Sequence, residues 1–263
     1  MRLAVAATAP LGADVLERLA ERHEIAYLLT RPDAPRGRGR KLAAPPAKET
    51  ADRLGIRVEQ PERPTLPADA PVDTVVVCAY GLLIPPSLLA QGLWLNVHPS
   101  LLPRWRGAAP VERAILAGDE VTGVTIHETV EALDAGPIAA QESFAIGPDD
   151  DAGTVYARAG EVAARLLNDV IAGPSFTPQA EAGITYAEKI QAADRELNLD
   201  DPIDACRRVR ALSPHIGAWT VLHERRMTIW RAHLEDGAFV PDEVQPEGKG
   251  RMSWDAFMRG IRS

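Results

Sequence analysis

Thr74-Val75-Val76-Val77-Cys78-Ala79 is a short run of apolar and β-branched residues with no polar alternation. A strand with one solvated face alternates. An unbroken run predicts a strand covered on both faces, as in a parallel sheet. Working outward, Arg2–Ala7 and Ile25–Leu29 read as strands before it and Leu93–His98 as one after it. Between them lie helical patterns at Ala13–Arg22 (apolar at Val15, Leu16 and Leu19), Lys48–Leu54 and Val111–Ala117. This βαβ rhythm predicts an α/β fold with a Rossmann-like, doubly wound, mostly parallel sheet. Ligands in such sheets bind beyond the carboxyl ends of the strands. The loops after Ala79 and after His98 lie at such ends.

The second half changes character. Gly123–Thr129 and Ile138–Phe144 read as strands flanking a turn, Glu131-Ala132-Leu133-Asp134-Ala135-Gly136-Pro137. Thr154–Ile171 is the longest helical pattern, and Gly173-Pro174 stops it. Residues 174–201 mix Pro, Gly and charge and read as a linker. From Pro202 onward a helix (Ile203–Leu212) precedes strand-like runs at Ala218–Leu222 and Met227–His233. A polar Pro/Gly stretch and an amphipathic segment, Met252–Ile261, complete the chain. The expected organisation is a main domain over 1–173, a linker over 174–201 and a small β-containing domain over 202–263.

An apolar content of 46% and a charged content of 25% over 263 residues place the chain among ordinary soluble globular proteins. No stretch approaches the roughly 18 apolar residues of a membrane span. Arg2 followed by Leu3–Ala9 is too short and too weakly basic for a signal peptide and reads as a buried first strand. The two cysteines, Cys78 and Cys206, sit in apolar-patterned segments without metal-ligand spacing, as buried thiols in a reducing cytoplasm would. The net charge of −8 argues against a generally basic surface. One segment departs from that balance. Residues 31–41 carry Arg31, Arg36, Arg38, Arg40 and Lys41 against the single acid Asp33. With Pro32, Pro35, Gly37 and Gly39 it reads as neither helix nor strand, but as a basic loop suited to a localised anion contact.

The chemistry concentrates at Asn96-Val97-His98. Residues i and i+2 of a strand share a face, so an amide and an imidazole converge where the strand ends. The loop that follows, Pro99-Ser100-Leu101-Leu102-Pro103-Arg104-Trp105-Arg106-Gly107, is stiffened by proline. An amide donor beside an imidazole can stabilise an oxyanion and move a proton. Asp134 is a candidate carboxylate partner, although on its own it reads first as an Asx-turn residue. Tyr80-Gly81-Leu82-Leu83-Ile84-Pro85 follows a buried strand and reads as either core or the wall of an apolar pocket. His23, His127, His215, His223 and His233 are weaker candidates without metal spacing. Ser100 has no G-x-S-x-G setting. Ala6-Ala7-Thr8-Ala9-Pro10 carries no glycine fingerprint for a nucleotide cofactor.

Asn96-x-His98, Ser100-Leu101-Leu102-Pro103-Arg104-Trp105-Arg106-Gly107-Ala108-Ala109-Pro110 and Leu133-Asp134-x-Gly136-Pro137 together resemble the signature of the 10-formyltetrahydrofolate-dependent formyltransferases. The match extends over most of residues 1–235. It implies the formyltransferase fold with a shortened C-terminal β domain, and Asn96, His98 and Asp134 as the catalytic trio. It implies 10-formyltetrahydrofolate as co-substrate, with no metal. Folate contacts would come from Tyr80, Gly81, Leu82, Leu83, Ile84, Ser100, Leu101, Leu102, Pro103, Leu133 and Gly136. The Arg-rich loop and Thr185-Tyr186-Ala187-Glu188-Lys189-Ile190 are similar to the tRNA-contacting loop and linker of one branch of the family. That branch formylates the α-amino group of initiator methionyl-tRNA, and Arg36, Arg38, Arg40 and Lys41 would contact the tRNA. A small amine such as an amino-sugar nucleotide is the alternative acceptor. The implied protein is a cytoplasmic monomer, not membrane-bound. The sequence lacks much of the family's C-terminal β-structure: either the barrel is abbreviated, or the tRNA grip depends more on the basic loop and on Arg207, Arg208, Arg210, Arg225 and Arg226.

Overall fold

The computed structural model describes residues 1–36 and 41–262. The chain divides into two compact units interleaved in sequence. The described residues of the first fall within Met1–Arg106, Gly123–Ser143 and Ala157–Thr185; those of the second fall within Gly107–Thr122, Phe144–Tyr156 and Tyr186–Ser263.

In chain order the elements are β1 (Arg2–Ala7), α1 (Pro10–Ala20), β2 (Glu24–Leu29), β3 (Ala34–Arg36), β4 (Lys41–Ala43), α2 (Pro46–Leu54), β5 (Val58–Glu59), β6 (Thr74–Cys78) and α3 (Pro86–Leu89). Then come β7 (Leu93–His98), β8 (Arg106–Gly107), α4 (Pro110–Ala117), β9 (Val121–Glu128), β10 (Ile138–Ala145), α5 (Ala152–Val170) and β11 (Tyr186–Ala187). The chain continues with α6 (Pro202–Leu212), β12 (Ala218–Leu222), β13 (Arg225–Glu235), β14 (Ala238–Pro246), β15 (Met252–Ser253) and α7 (Trp254–Arg262).

A seven-stranded sheet in the order β10-β9-β7-β6-β1-β2-β5 dominates the first unit. The pairs β5–β2, β2–β1, β1–β6 and β6–β7 are parallel, and β9 turns antiparallel to β7. The expected doubly wound, mostly parallel sheet is what the chain forms. β6 is buried along its whole length, as its unbroken apolar run requires. Val75 and Val77 face a core of Ala4, Ala6, Leu29, Ile84 and Trp94. Helix α1 lies so close to the sheet that a Cβ on Gly12 would stand 2.5 Å from the Cys78 carbonyl oxygen and 2.6 Å from Ala7 Cβ. Cys78 itself is fully buried, and desolvation pushes its thiol far up.

Five helices (α1, α2, α3, α4 and α6) begin on proline in the first turn, where its missing N–H has no helical partner to lose. They therefore start a residue or more ahead of the apolar periodicity. Helices α2 and α4 stop at Gly55 and Gly118, both left-handed.

The second unit packs α4, the start of α5 and α6 with a four-stranded antiparallel sheet, β12-β13-β14-β15. Val111, Ile115, Val155, Val209, Leu212, Met227, Ile229 and Val244 form its core. The stretch after His233 is not a polar loop as expected: it is a hairpin, β13–β14. Asp236 and Gly237 both take positive φ, as a two-residue type I′ turn demands. His223 and Glu224 do the same between β12 and β13.

Two further expectations are corrected. The basic segment is not free of regular structure, because β3 and β4 pair antiparallel with Arg36 opposite Lys41. Arg38 and Arg40 lie outside the described residues. Arg208 and Arg210 are not free cations either. Arg208 bonds the Asp204 carboxylate and the Asp194 carbonyl, while Arg210 donates to the Gly147 and Asp150 carbonyls. The Arg207 guanidinium packs within 3.1 Å of where a Cβ on Gly118 would stand, at the end of α4. Arg208 and Arg210 thus stabilise the unit's own loops. Arg226 stays on the surface, its guanidinium 4.0 Å over the Trp219 ring.

The close approach of α1 is testable. Gly12→Val should lower stability by about 1–3 kcal/mol, the usual cost of overpacking a filled core. Thermal unfolding of the variant reads this directly, and an unchanged midpoint would show that α1 does not need the glycine.

Candidate active site

Strand β7 carries Asn96 and His98 on one face, and β9 lies beside it with His127 opposite Asn96 and Thr125 opposite His98. The chain then turns through residues 131–137 and returns Asp134 to this pair. Asn96 Nδ2 donates to Asp134 Oδ1 at 3.3 Å, and His98 Nδ1 lies 3.6 Å from Asp134 Oδ2. The three residues, singled out from two separate motifs, thus meet. All three are largely withdrawn from solvent.

A fourth residue joins them. His127 Nε2 is 3.1 Å from Asn96 Nδ2 and 3.7 Å from Asp134 Oδ1. Its Nδ1 is 2.8 Å from the Glu128 carbonyl oxygen, which can only accept, so Nδ1 carries the proton. Burial pushes the ring's pKa down to about 4, against the pull of Asp134. The neutral ring therefore presents a bare Nε2, and only an N–H of Asn96 can fill it. This orients the Asn96 carboxamide. From sequence His127 is only a weaker candidate, because it lacks metal spacing; cross-strand register, not spacing along the chain, brings it in.

The same logic assigns His98. Its Nε2 is 2.7 Å from the Trp105 carbonyl oxygen and must donate to it. Nδ1 is the ring nitrogen left to face the Asp134 carboxylate.

Backbone strain concentrates here. In the first unit, the described non-glycine residues with positive φ are Ala79, Trp105 and Asp134. Each lies on a loop after β6 or β7 or on the 131–137 turn. Such conformations each cost on the order of 1–3 kcal/mol and persist only where surrounding contacts hold them. Gly136 belongs to the same turn: a Cβ there would overlap the Glu128 carbonyl, the acceptor that sets the His127 tautomer.

The other expected contacts divide. Tyr80 and Ile84 are buried in the core beside Trp94, with burial pushing the Tyr80 phenol up to about 12. Gly81 is exposed and left-handed, and Leu82 is half-buried against that core. Leu83 and Leu133 stand open, 83% and 64% exposed. Ser100, Leu101, Leu102 and Pro103 form a tightly bonded frame. The Ser100 hydroxyl donates to the Arg104 carbonyl, and the Leu101 carbonyl accepts from the Arg104 N–H. The Leu102 N–H donates to Thr125, whose hydroxyl donates to the Ser100 carbonyl. Gln141 donates to the Leu102 carbonyl and Thr185 to that of Pro103. These groups hold the loop that carries Trp105. Lys41 is exposed, and the acid of the basic segment, Asp33, is bound by Lys48 at 2.8 Å. Among the described residues no group of three or more His, Cys, Asp or Glu is placed to hold a metal ion.

The family pattern described as "Formyl transferase" matches residues 1–171, and that described as "Formyl transferase, C-terminal domain" matches residues 189–240. The chain belongs to the formyltransferase family. It is 36% identical to the methionyl-tRNA formyltransferase of Cereibacter sphaeroides, over 99% of this chain and 96% of that protein. It is 40% identical to that of Chromobacterium violaceum, over 93% of this chain and 84% of that protein. Among solved structures, HypX from Aquifex aeolicus in complex with tetrahydrofolic acid shares the fold at TM-score 0.69 and 18% identity, over 98% of this chain and 46% of that one. A methionyl-tRNA formyltransferase from Clostridium thermocellum does so at TM-score 0.66 and 15% identity, over 95% of this chain and 100% of that one.

For this formyltransferase the His127 assignment has a pH consequence. The folded ring stays neutral down to about pH 4, whereas an unfolded ring takes its proton near 6.5. The unfolded chain thus binds more protons in that window, and His127's contribution to stability is lost as pH falls from about 6.5 through about 4. A ¹⁵N-imidazole titration should place its midpoint near 4. A midpoint at the ordinary histidine value would contradict the buried, neutral assignment.

Proposed function

We propose that this formyltransferase transfers the formyl group of 10-formyltetrahydrofolate to the α-amino group of methionyl-initiator tRNA. The convergence of Asn96, His98 and Asp134 carries the reaction. The methionyl-tRNA formyltransferases that match nearly the whole chain support the acceptor. In the reaction the amino nitrogen forms a bond to the formyl carbon and the bond from that carbon to N10 of the folate breaks. The proton lost by the amine passes, in net terms, to N10.

The residues take distinct parts. Negative charge grows on the formyl oxygen as the amine attacks, and a fixed N–H donor there is worth most in a site that excludes water. Asn96 has one N–H anchored on His127; the other rests on Asp134 Oδ1 at 3.3 Å, a long bond that a formyl oxygen can replace. His98 Nδ1 moves the proton. Asp134 orients the imidazole and offsets the charge it carries when protonated. Leu83 and Leu133 are the open apolar side chains for the flat face of the folate. Gly81, Leu82 and Gly136 supply backbone beside them, Tyr80 and Ile84 the support behind, and Ser100, Leu101, Leu102 and Pro103 the frame. Arg36, Arg38, Arg40 and Lys41 would hold the tRNA backbone, whose phosphates favour a local cluster of cations. In this reading residues 1–173 do the chemistry, 174–201 link, and 202–263 help hold the tRNA. The protein works as a monomer in the cytoplasm. Among the described residues no helix is long and apolar enough to cross a membrane.

Formylation of methionyl-initiator tRNA is the test. Asn96→Ala should reduce kcat by roughly 10²–10³ without loss of fold, the cost of one oxyanion donor. Arg38→Ala should raise KM for the charged tRNA and leave KM for the formyl donor unchanged. A wild-type protein that ignores charged tRNA but formylates an amino-sugar nucleotide would replace the acceptor assigned here.

A further inference from the structure

Gln179 lies in the segment that reads from sequence as a linker, and its carboxamide is saturated by contacts with two catalytic loops. Nε2 donates to the carbonyl oxygens of Asp134 and Gly136, both at 2.8 Å. Oε1 accepts from Arg106 Nε at 3.1 Å and from Arg106 Nη2 at 2.6 Å. Both N–H groups and both lone pairs are thus engaged.

These contacts close a circuit. His98 Nε2 donates to the Trp105 carbonyl, and Trp105 is bonded to Arg106. Arg106 holds Gln179, Gln179 holds the Asp134 backbone, and the Asp134 carboxylate returns to His98 Nδ1 at 3.6 Å. Two members of the circuit, Trp105 and Asp134, have left-handed backbones that must be held from outside. Trp105 is held from the same segment, its N–H donating to the Thr185 hydroxyl at 2.9 Å. Asp134 is held by Gln179.

We infer that Gln179 is a positioning residue for formyl transfer, setting the Asp134 carboxylate against His98 and Asn96 through the Asp134 and Gly136 carbonyls. The inference rests on the catalytic reading of Asp134 proposed above. The role needs a side chain that donates twice and accepts at the same reach. Glutamate keeps the acceptor for Arg106 but loses both donors. Asparagine is shorter by one methylene.

The test is a double-mutant cycle on the full chain, with single-turnover and steady-state formylation of methionyl-initiator tRNA. Gln179→Ala should lower kcat by roughly 10–100-fold, the effect of displacing a catalytic group by about 1 Å, with little change in KM for the formyl donor. Gln179→Glu, nearly isosteric, should lose as much and guards against a folding defect in the alanine variant. In an Asp134→Asn background the effect of Gln179→Ala should shrink to no more than about threefold, because Gln179 acts through the carboxylate that is gone. An equal loss in both backgrounds, or full kcat in folded Gln179→Glu, would overturn the inference. If Asp134→Asn alone kept the wild-type rate, the catalytic reading of Asp134 would fall, and the positioning role with it.

Discussion

The site depends on β9 running antiparallel beside β7 at one side of an otherwise parallel set of strands. That pairing sets His127 opposite Asn96 and sends the chain directly into the turn that returns Asp134. A one-residue slip in register would carry His127 to the other face of the sheet and leave Asn96 without its partner. Register here is enforced by burial: Val124 and Ile126 on β9 and Leu95 and Val97 on β7 are all withdrawn from water.

Around that pairing, hydrogen-bond chemistry leaves few choices. Two backbone carbonyls, those of Glu128 and Trp105, each claim one nitrogen of a buried histidine. Carbonyls only accept, so each claim fixes a proton. His127 becomes a neutral acceptor that orients an amide, and His98 becomes a ring whose free nitrogen faces a carboxylate. Two imidazoles 6.3 Å apart thus do different work because of the carbonyl each one meets. The strained backbones of Trp105 and Asp134 are the structural cost of bringing those groups to bear.

Much of this was legible in the sequence because the informative signals were local. The unbroken run at Thr74–Ala79 marks a strand buried on both faces, and the i, i+2 spacing of Asn96 and His98 places them together. What escaped was non-local or depended on backbone sign. His127 enters by cross-strand pairing. Gln179 sits 45 residues from Asp134, in a segment whose Pro and Gly content reads as linker. The β13–β14 hairpin hid behind polar residues, although Asp236-Gly237 is a turn signal that periodicity does not weigh. Arg208 and Arg210 read as free cations because their acceptors are mostly backbone carbonyls, which no charge count contains.

His98 holds its proton on Nε2 against the Trp105 carbonyl and turns Nδ1 toward Asp134. Selective ¹⁵N labelling of the histidine ring and observation of its one-bond N–H couplings measures this directly. In the neutral ring the proton is expected on Nε2, the Nε2–H tautomer. A neutral Nδ1–H tautomer would contradict it, since Nε2 would then have nothing to donate to the Trp105 carbonyl and the circuit to Asp134 would be open.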